Sequence, residues 1–162
     1  MMHSLGRLAV LGVVLGMGIG VGRLSVPPAP KPVVAVATTV PALVRIPQSA
    51  DGHYWVDAWV NGTPIRFLVD TGATGVALTD GDAKRLGYRL KPHEYLFEVL
   101  TATSKTRAAT VTLSTVTVGD IRMTGVQALV LENGLGSSLL GMNYLNQFSK
   151  VTFADKVLTL ER

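Results

Sequence analysis

The chain has 162 residues, no cysteine, 48% hydrophobic side chains and a formal net charge of +4 at neutral pH. That length holds one ordinary domain and an appendage. The missing cysteines exclude disulfides, thiol nucleophiles and Cys-ligated zinc, and abundant Gly, Thr and Val with few aromatics suits a β-rich globular domain.

Charge is unevenly placed. Four of the 15 basic residues, Arg7, Arg23, Lys31 and Arg45, precede residue 51 with no acid among them, and the other 11 balance the 11 acidic residues that follow. A basic stripe for nucleic acid is therefore not indicated, and the positive tail reads as the flank of a membrane segment.

That segment is residues 8–22, fifteen uncharged and mostly apolar positions between Arg7 and Arg23. Its length fits both a cleaved signal and a retained anchor. The first Ala-x-Ala, Ala35-Val36-Ala37, lies beyond a Pro-rich stretch, which favours an anchor over residues 1–26. Gly12, Gly16 and Gly20 form a small-residue stripe of the kind that lets two membrane helices approach closely, a spacing that a Gly-rich segment also produces by chance. Pro27, Pro28, Pro30 and Pro32 exclude helix and central strand, so residues 27–50 are expected to be a spacer reaching at most roughly 70 Å.

The globular domain is expected over residues 51–162. Residues 54–60 and 65–69 read as two strands joined by Asn61-Gly62, a strong type I′ hairpin signal. Thr79 as N-cap, Ala83 and Leu86 on one face and Gly87 at the end predict a short helix. Strands follow at 95–103, 107–118 and 121–131, with a turn at Ser104-Lys105-Thr106. A phase change in the apolar alternation near Ser114 and Thr115 suggests a bulge or bend. Leu139-Leu140-Gly141, a short helix over 143–148 and a hairpin of 151–153 with 157–160 complete the chain.

The chemistry is expected at Asp70, a carboxylate that ends the apolar run Phe67-Leu68-Val69. A buried carboxylate is costly unless bonded or paired, so one placed there suggests function. Gly72 lets the following loop bring N–H groups toward it, and Thr71 offers a hydroxyl to fix the neighbouring loop. As a tripeptide alone, Asp-Thr-Gly also fits a strand-end turn. His3, His53 and His93 have no ligand spacing, so no metal and no cofactor are expected. Ser137 and Ser138 form no recognisable triad, and Tyr54, Trp55 and Trp59 are read as core aromatics.

Taken with Ala73-Thr74 and with Leu139-Leu140-Gly141 some seventy residues on, Asp70-Thr71-Gly72 resembles the retropepsin-like aspartic peptidases. The similarity extends to a bacterial, single-domain, membrane-associated branch through Ala77-Leu78-Thr79, Ala83, Leu86-Gly87 and Met142-Asn143-Tyr144-Leu145. The resemblance implies a mainly β acid-protease half-barrel with one or two short helices, active as a twofold homodimer. It implies Asp70 as the catalytic carboxylate, Thr71, Gly72, Ala73 and Thr74 as its loop, and Leu139, Leu140 and Gly141 packed beneath it. It also implies an interchain sheet built from the C-terminal strands. The hairpin at Thr101, Ala102, Thr103, Ser104 and Lys105 is then the candidate flap; by pattern alone it is a surface hairpin. Its tip departs from the Thr-Ala-Asn-Gly common in that branch.

Two carboxylates sharing a proton serve as base and acid in such catalysis. The chain has a single Asp-Thr-Gly, so a second copy is expected to supply the partner. The implied activity is endopeptidase cleavage of protein or peptide substrates near the membrane, with the domain on the periplasmic side of the inner membrane or secreted to the periplasm. A non-catalytic dimeric peptide-binding module of the same fold is the alternative.

Overall fold

The computed structural model describes residues 42–101 and 104–162. The segments read as anchor and most of the spacer lie outside these residues. Among the described residues no helix is long and apolar enough to cross a membrane.

Ten strands and two short helices form two sheets. After a first strand, β1 (Leu43–Pro47), comes the first hairpin, β2 (Trp55–Val60) paired antiparallel with β3 (Thr63–Val69). Asn61 and Gly62 join them with φ of 48° and 84°, the positive-φ pair that a type I′ turn requires. Alternation sets the faces: Val56, Ala58, Val60, Ile65, Phe67 and Val69 are buried, while Asp57, Trp59, Pro64 and Arg66 are exposed.

β3 then pairs in parallel with β8 (Ser138–Leu140), and β4 (Val76–Thr79) pairs in parallel with β7 (Ile121–Leu131). Helix α1 (Asp80–Arg85) follows β4, capped by the Thr79 hydroxyl accepting the Asp82 N–H at 3.1 Å. A single 3-10 turn (Pro92–Glu94) leads into β5 (Phe97–Leu100), which hairpins with β6 (Lys105–Val118). β2 pairs with both β3 and the far end of β6. The order β2-β3-β8-β4-β7-β6 therefore returns on itself as a closed ring, with β5 attached outside it.

The long β6/β7 ribbon bends without gaining a residue. Leu113 faces Val126 and Val116 faces Met123 in one constant register, and the Ser114–Gly125 position between them drops out of the ladder. Gly125 takes φ 64° there. All four flanking residues are buried although 113 and 116 have opposite parity, so the ribbon rolls and both of its faces contribute to the core. The sequence signal is thus a bend, not a bulge.

Further expectations change. Residues 43–47, assigned to the spacer, form β1 (Leu43–Pro47) and pair antiparallel with β10 (Val157–Glu161). Ile46 is buried in the core through that pairing. β10 also pairs with β9 (Lys150–Ala154), so it is the central strand of a three-stranded sheet and its backbone is used on both sides. In this sheet, among the described residues, the outer edges of β1 and β9 are the ones left for pairing with another chain. Lys105 and Thr106, expected in a turn, open β6, and β5 is four residues long. Trp59, read as core, is 58% exposed, because its parity on β2 is that of Asp57.

Candidate active site

The alternation that buries Val69 turns Asp70 to the opposite face, where it is half-buried. The carboxylate predicted to be buried therefore opens onto a cleft. Its backbone N–H donates to the Leu140 carbonyl at 3.1 Å, continuing the β3–β8 ladder beyond the strand end. Side-chain Oδ1 accepts the Gly72 N–H at 2.8 Å, and the Asp70 carbonyl accepts the Ala73 N–H at 3.2 Å. A Cβ on Gly72 would lie 3.1 Å from Oδ1, so glycine lets the donor approach its acceptor. Oδ2 has no hydrogen-bond partner among the described residues.

The loop is clamped from the other side by the segment after β8. Met142 N–H donates to the Ala73 carbonyl at 2.9 Å and Asn143 N–H to the Thr74 carbonyl at 2.8 Å. Helix α2 (Met142–Leu145) starts there, and its inward residues Tyr144 and Leu145 are buried. Gly141 makes this possible: a Cβ would meet the carbonyls of Ala73 and Gly75 at 2.5 Å each. The two elements predicted to meet, 70–74 and 139–141, do so through backbone contacts.

A cleft of about 620 Å³ opens over Asp70, with Val76, Leu100, Leu129, Leu135 and Leu139 among its walls. The candidate flap reaches it. Thr101 lines the cleft, Lys105 pairs with Leu100 across the hairpin, and Ala102 and Thr103 lie outside the described residues. The turn is closed by the Thr101 N–H donating to the Ser104 carbonyl at 2.9 Å and the Ser104 N–H donating to the Thr101 hydroxyl at 3.0 Å. Thr101 and Ser104 lie against the loop after β7, where a Cβ on Gly134 would be 3.3 Å from Ser104 Oγ. Thr71, Gly72 and Thr74 are exposed and Ala73 is half-buried. The Thr71 hydroxyl, expected to fix a neighbouring loop, has no such bond within the described chain.

One supporting group went unrecognised in the sequence. Ser138 is fully buried; its hydroxyl accepts the Thr79 N–H at 3.1 Å and donates to Asp82 Oδ2 at 2.6 Å. It ties α1 to the strand beneath the Asp70 loop. The side chain is two residues before Leu140, but its partners are 56 and 59 residues away in sequence, and no local pattern signals that meeting.

The chain and its fold are similar to known proteins. The gag-polyprotein aspartyl protease family model matches residues 56–147. The fold is similar to the crystal structure of a retropepsin-like aspartic protease from Rickettsia conorii, with a TM-score of 0.69 and 35% identity, covering 75% of this chain and 92% of that one. EIAV protease complexed with the inhibitor HBY-793 shares the fold at a TM-score of 0.51 and 20% identity, covering 61% of this chain and 90% of that one. An uncharacterized protein of Rickettsia prowazekii (strain Madrid E) is 40% identical over 105 residues, and one encoded in the cobV 5′ region of Sinorhizobium sp is 36% identical over 104. These alignments cover 65% and 64% of this chain and 45% of each relative, so the chain spans about half the length of the curated relatives it matches.

The fold and the Asp-Thr-Gly cleft define a retropepsin-like aspartic peptidase domain. The chain belongs to the gag-polyprotein aspartyl protease family.

Proposed function

We propose that the chain is an aspartic endopeptidase whose reaction uses Asp70 from each of two copies and one water molecule. The observation that carries this reading is Asp70 itself: half-buried at the cleft, held by the Gly72 N–H on Oδ1, with Oδ2 unbonded.

One carboxylate cannot act as base and acid in the same step. In the paired site one Asp70 is ionised and the other protonated. The ionised one takes a proton from water as the oxygen attacks the scissile carbonyl carbon, and the protonated one gives its proton to the carbonyl oxygen. As the resulting diol collapses and the C–N bond breaks, the now ionised Asp70 takes a proton from one diol hydroxyl and the other gives its proton to the leaving nitrogen, which restores the singly protonated dyad. Activity then needs the two carboxylates to hold one proton between them. A twofold axis between the Asp70 loops supplies the required symmetry, and the exposed Thr71 hydroxyl is then available to the partner's loop. Thr74 and Ala73 shape the loop, Leu139, Leu140 and Gly141 support it, and the 101–105 hairpin covers the bound peptide.

The apolar residues 8–22 between Arg7 and Arg23 support attachment to a membrane, with substrates cleaved close to it; basic residues flank both ends of that run, so the periplasmic placement of the domain rests on the resemblance to the membrane-associated branch and not on charge. The test is a peptide library cleaved by the full chain from acidic to neutral pH, with Asp70→Asn beside it and sedimentation run on the same samples. Cleavage that depends on Asp70 and rises with dimer fraction is expected. A stable dimer that binds peptides and cleaves none would make the chain a peptide-binding module instead.

A further inference from the structure

Trp59 is exposed and sits at the end of the β2/β3 hairpin remote from Asp70. It pairs with Pro64 across β2 and β3 and with Thr117 across β2 and β6, and Thr117 pairs with Arg122 across β6 and β7. Paired residues project to one face. Pro64, Trp59, Thr117 and Arg122 therefore form a row across β3, β2, β6 and β7, with the indole roughly 10 Å from Arg122. The rise along β3 from Pro64 puts this row roughly 20 Å from Asp70.

The chain enters the domain at the same end. Ala42 and Arg162 exchange backbone hydrogen bonds, and the Arg162 guanidinium donates to the Arg122 carbonyl at 3.1 Å. Val44 lies against the β6–β7 turn, where a Cβ on Gly119 would be 2.8 Å from its Cγ2. On the other flank Arg85 donates to the Pro64 carbonyl at 2.8 Å. Asp120 in the turn and Asp82, paired with Arg85 at 3.0 Å, offset these cations, so net charge does not drive a contact here. What distinguishes this end is an indole set among arginines. Such side chains suit the boundary of lipid and water, the ring lying at headgroup depth and the guanidinium groups reaching phosphates while their stems stay in the apolar layer.

We propose that this end of the domain rests on the headgroups of the membrane that holds the chain, with Trp59 inserted among them and the Asp70 cleft turned away. The inference rests on the membrane attachment proposed above. Residues 23–41, between the apolar run and Ala42, reach at most about 60 Å even as polyproline, which keeps the domain at the surface and tethers it by this end. Two copies that share one Asp70 pair while anchored in one membrane have their twofold axis along its normal, which sets both Trp59 ends down together. The cleft then stands roughly 20 Å above the surface, where it meets polypeptide segments clear of the bilayer and not residues within it.

The test uses the full chain in phosphatidylcholine vesicles whose lipids carry a nitroxide quencher at the top of the acyl chain. Trp55 and Trp59 are the two tryptophans, so Trp55→Phe leaves Trp59 as the reporter and Trp59→Phe, at an exposed position, leaves Trp55. Trp59 is expected to lose at least about half of its emission to the labelled lipid, as an indole at headgroup depth does. Trp55, roughly 13 Å nearer the cleft along β2, should lose far less. If Trp55→Phe folds poorly, the difference between the unaltered chain and Trp59→Phe gives the same quantity. A chain that floats with the vesicles while Trp59 stays unquenched would overturn the resting face and leave the attachment standing. A chain that does not float with them would overturn both. Trp59 shielded from aqueous iodide yet untouched by labelled lipid would also sink the proposal and assign the indole to contact with protein.

Discussion

The N–H of Met142 donates to the carbonyl of Ala73 at 2.9 Å, across 69 positions of sequence. With the neighbouring Asn143–Thr74 bond it fixes the Asp70 loop from the side opposite β3, so the loop's shape depends on how closely two backbones approach.

Gly141 is where that approach is tightest. In Gly141→Ala the new Cβ would press on the carbonyls of Ala73 and Gly75, both backbone atoms at 2.5 Å. The expected cost is about 3 kcal/mol or more, read as a fall in the denaturation midpoint, together with loss of peptide cleavage.

Ser138→Ala removes a fully buried hydroxyl that serves the Thr79 N–H and Asp82 at once. Leaving the amide unsatisfied should cost about 2 kcal/mol. Ser138→Thr, which keeps the hydroxyl but adds a methyl group, separates the bond from the packing: amide exchange at Thr79 should quicken in the Ala protein and stay slow in the Thr protein.

Removing residues 1–50 takes away β1 along with the presumed spacer of the sequence reading. Ile46 leaves the core and β10 loses a partner strand, so a chain starting at Asp51 should be less stable by about 2 kcal/mol or more and prone to pair through the bared edge. A chain starting at Ala42 should match the full domain in thermal unfolding.

Tyr144 gives the alkaline response. Burial holds its hydroxyl protonated well above the ordinary tyrosine value, with Arg162 opposing weakly. Tyr95 is also raised, first by burial and then by Asp80. A raised folded value means stability fully present below the unfolded tyrosine value near pH 10 and lost as pH climbs through the folded one. Tyr144 Oη also has no hydrogen-bond partner among the described residues. Tyr144→Phe should therefore gain about 1 kcal/mol at neutral pH and flatten the alkaline limb of a denaturant-midpoint profile.

What the sequence made legible was local. Asn61-Gly62 announced its hairpin, Thr79 its helix, and residues 121–131 a strand with those bounds, because each signal sits within a few residues of the structure it specifies. Asp70 was legible for the same reason, as a charge ending an apolar run. β1 was not: five alternating residues after a Pro-rich stretch become a strand only through β10, more than a hundred residues on. The exposure of Trp59 was likewise hidden, since an aromatic on a strand does not declare which face is the core. Ser138 and the cleft wall Leu129 depend on parallel pairings that no local period encodes.

β1 and β10 meet at the two ends of the described domain. Ala42 and Arg162 exchange both backbone hydrogen bonds, at 3.2 and 3.0 Å. Tension along the chain ahead of Ala42 would fall first on that pair, then on Leu43 with Glu161, and so on inward. The ladder would peel one rung at a time under small force, where a pull along the strands would have to shear every rung together. A domain held through the residues ahead of Ala42 would hang by a seam that opens from its end, and Ile46 is the first buried core residue the opening would withdraw.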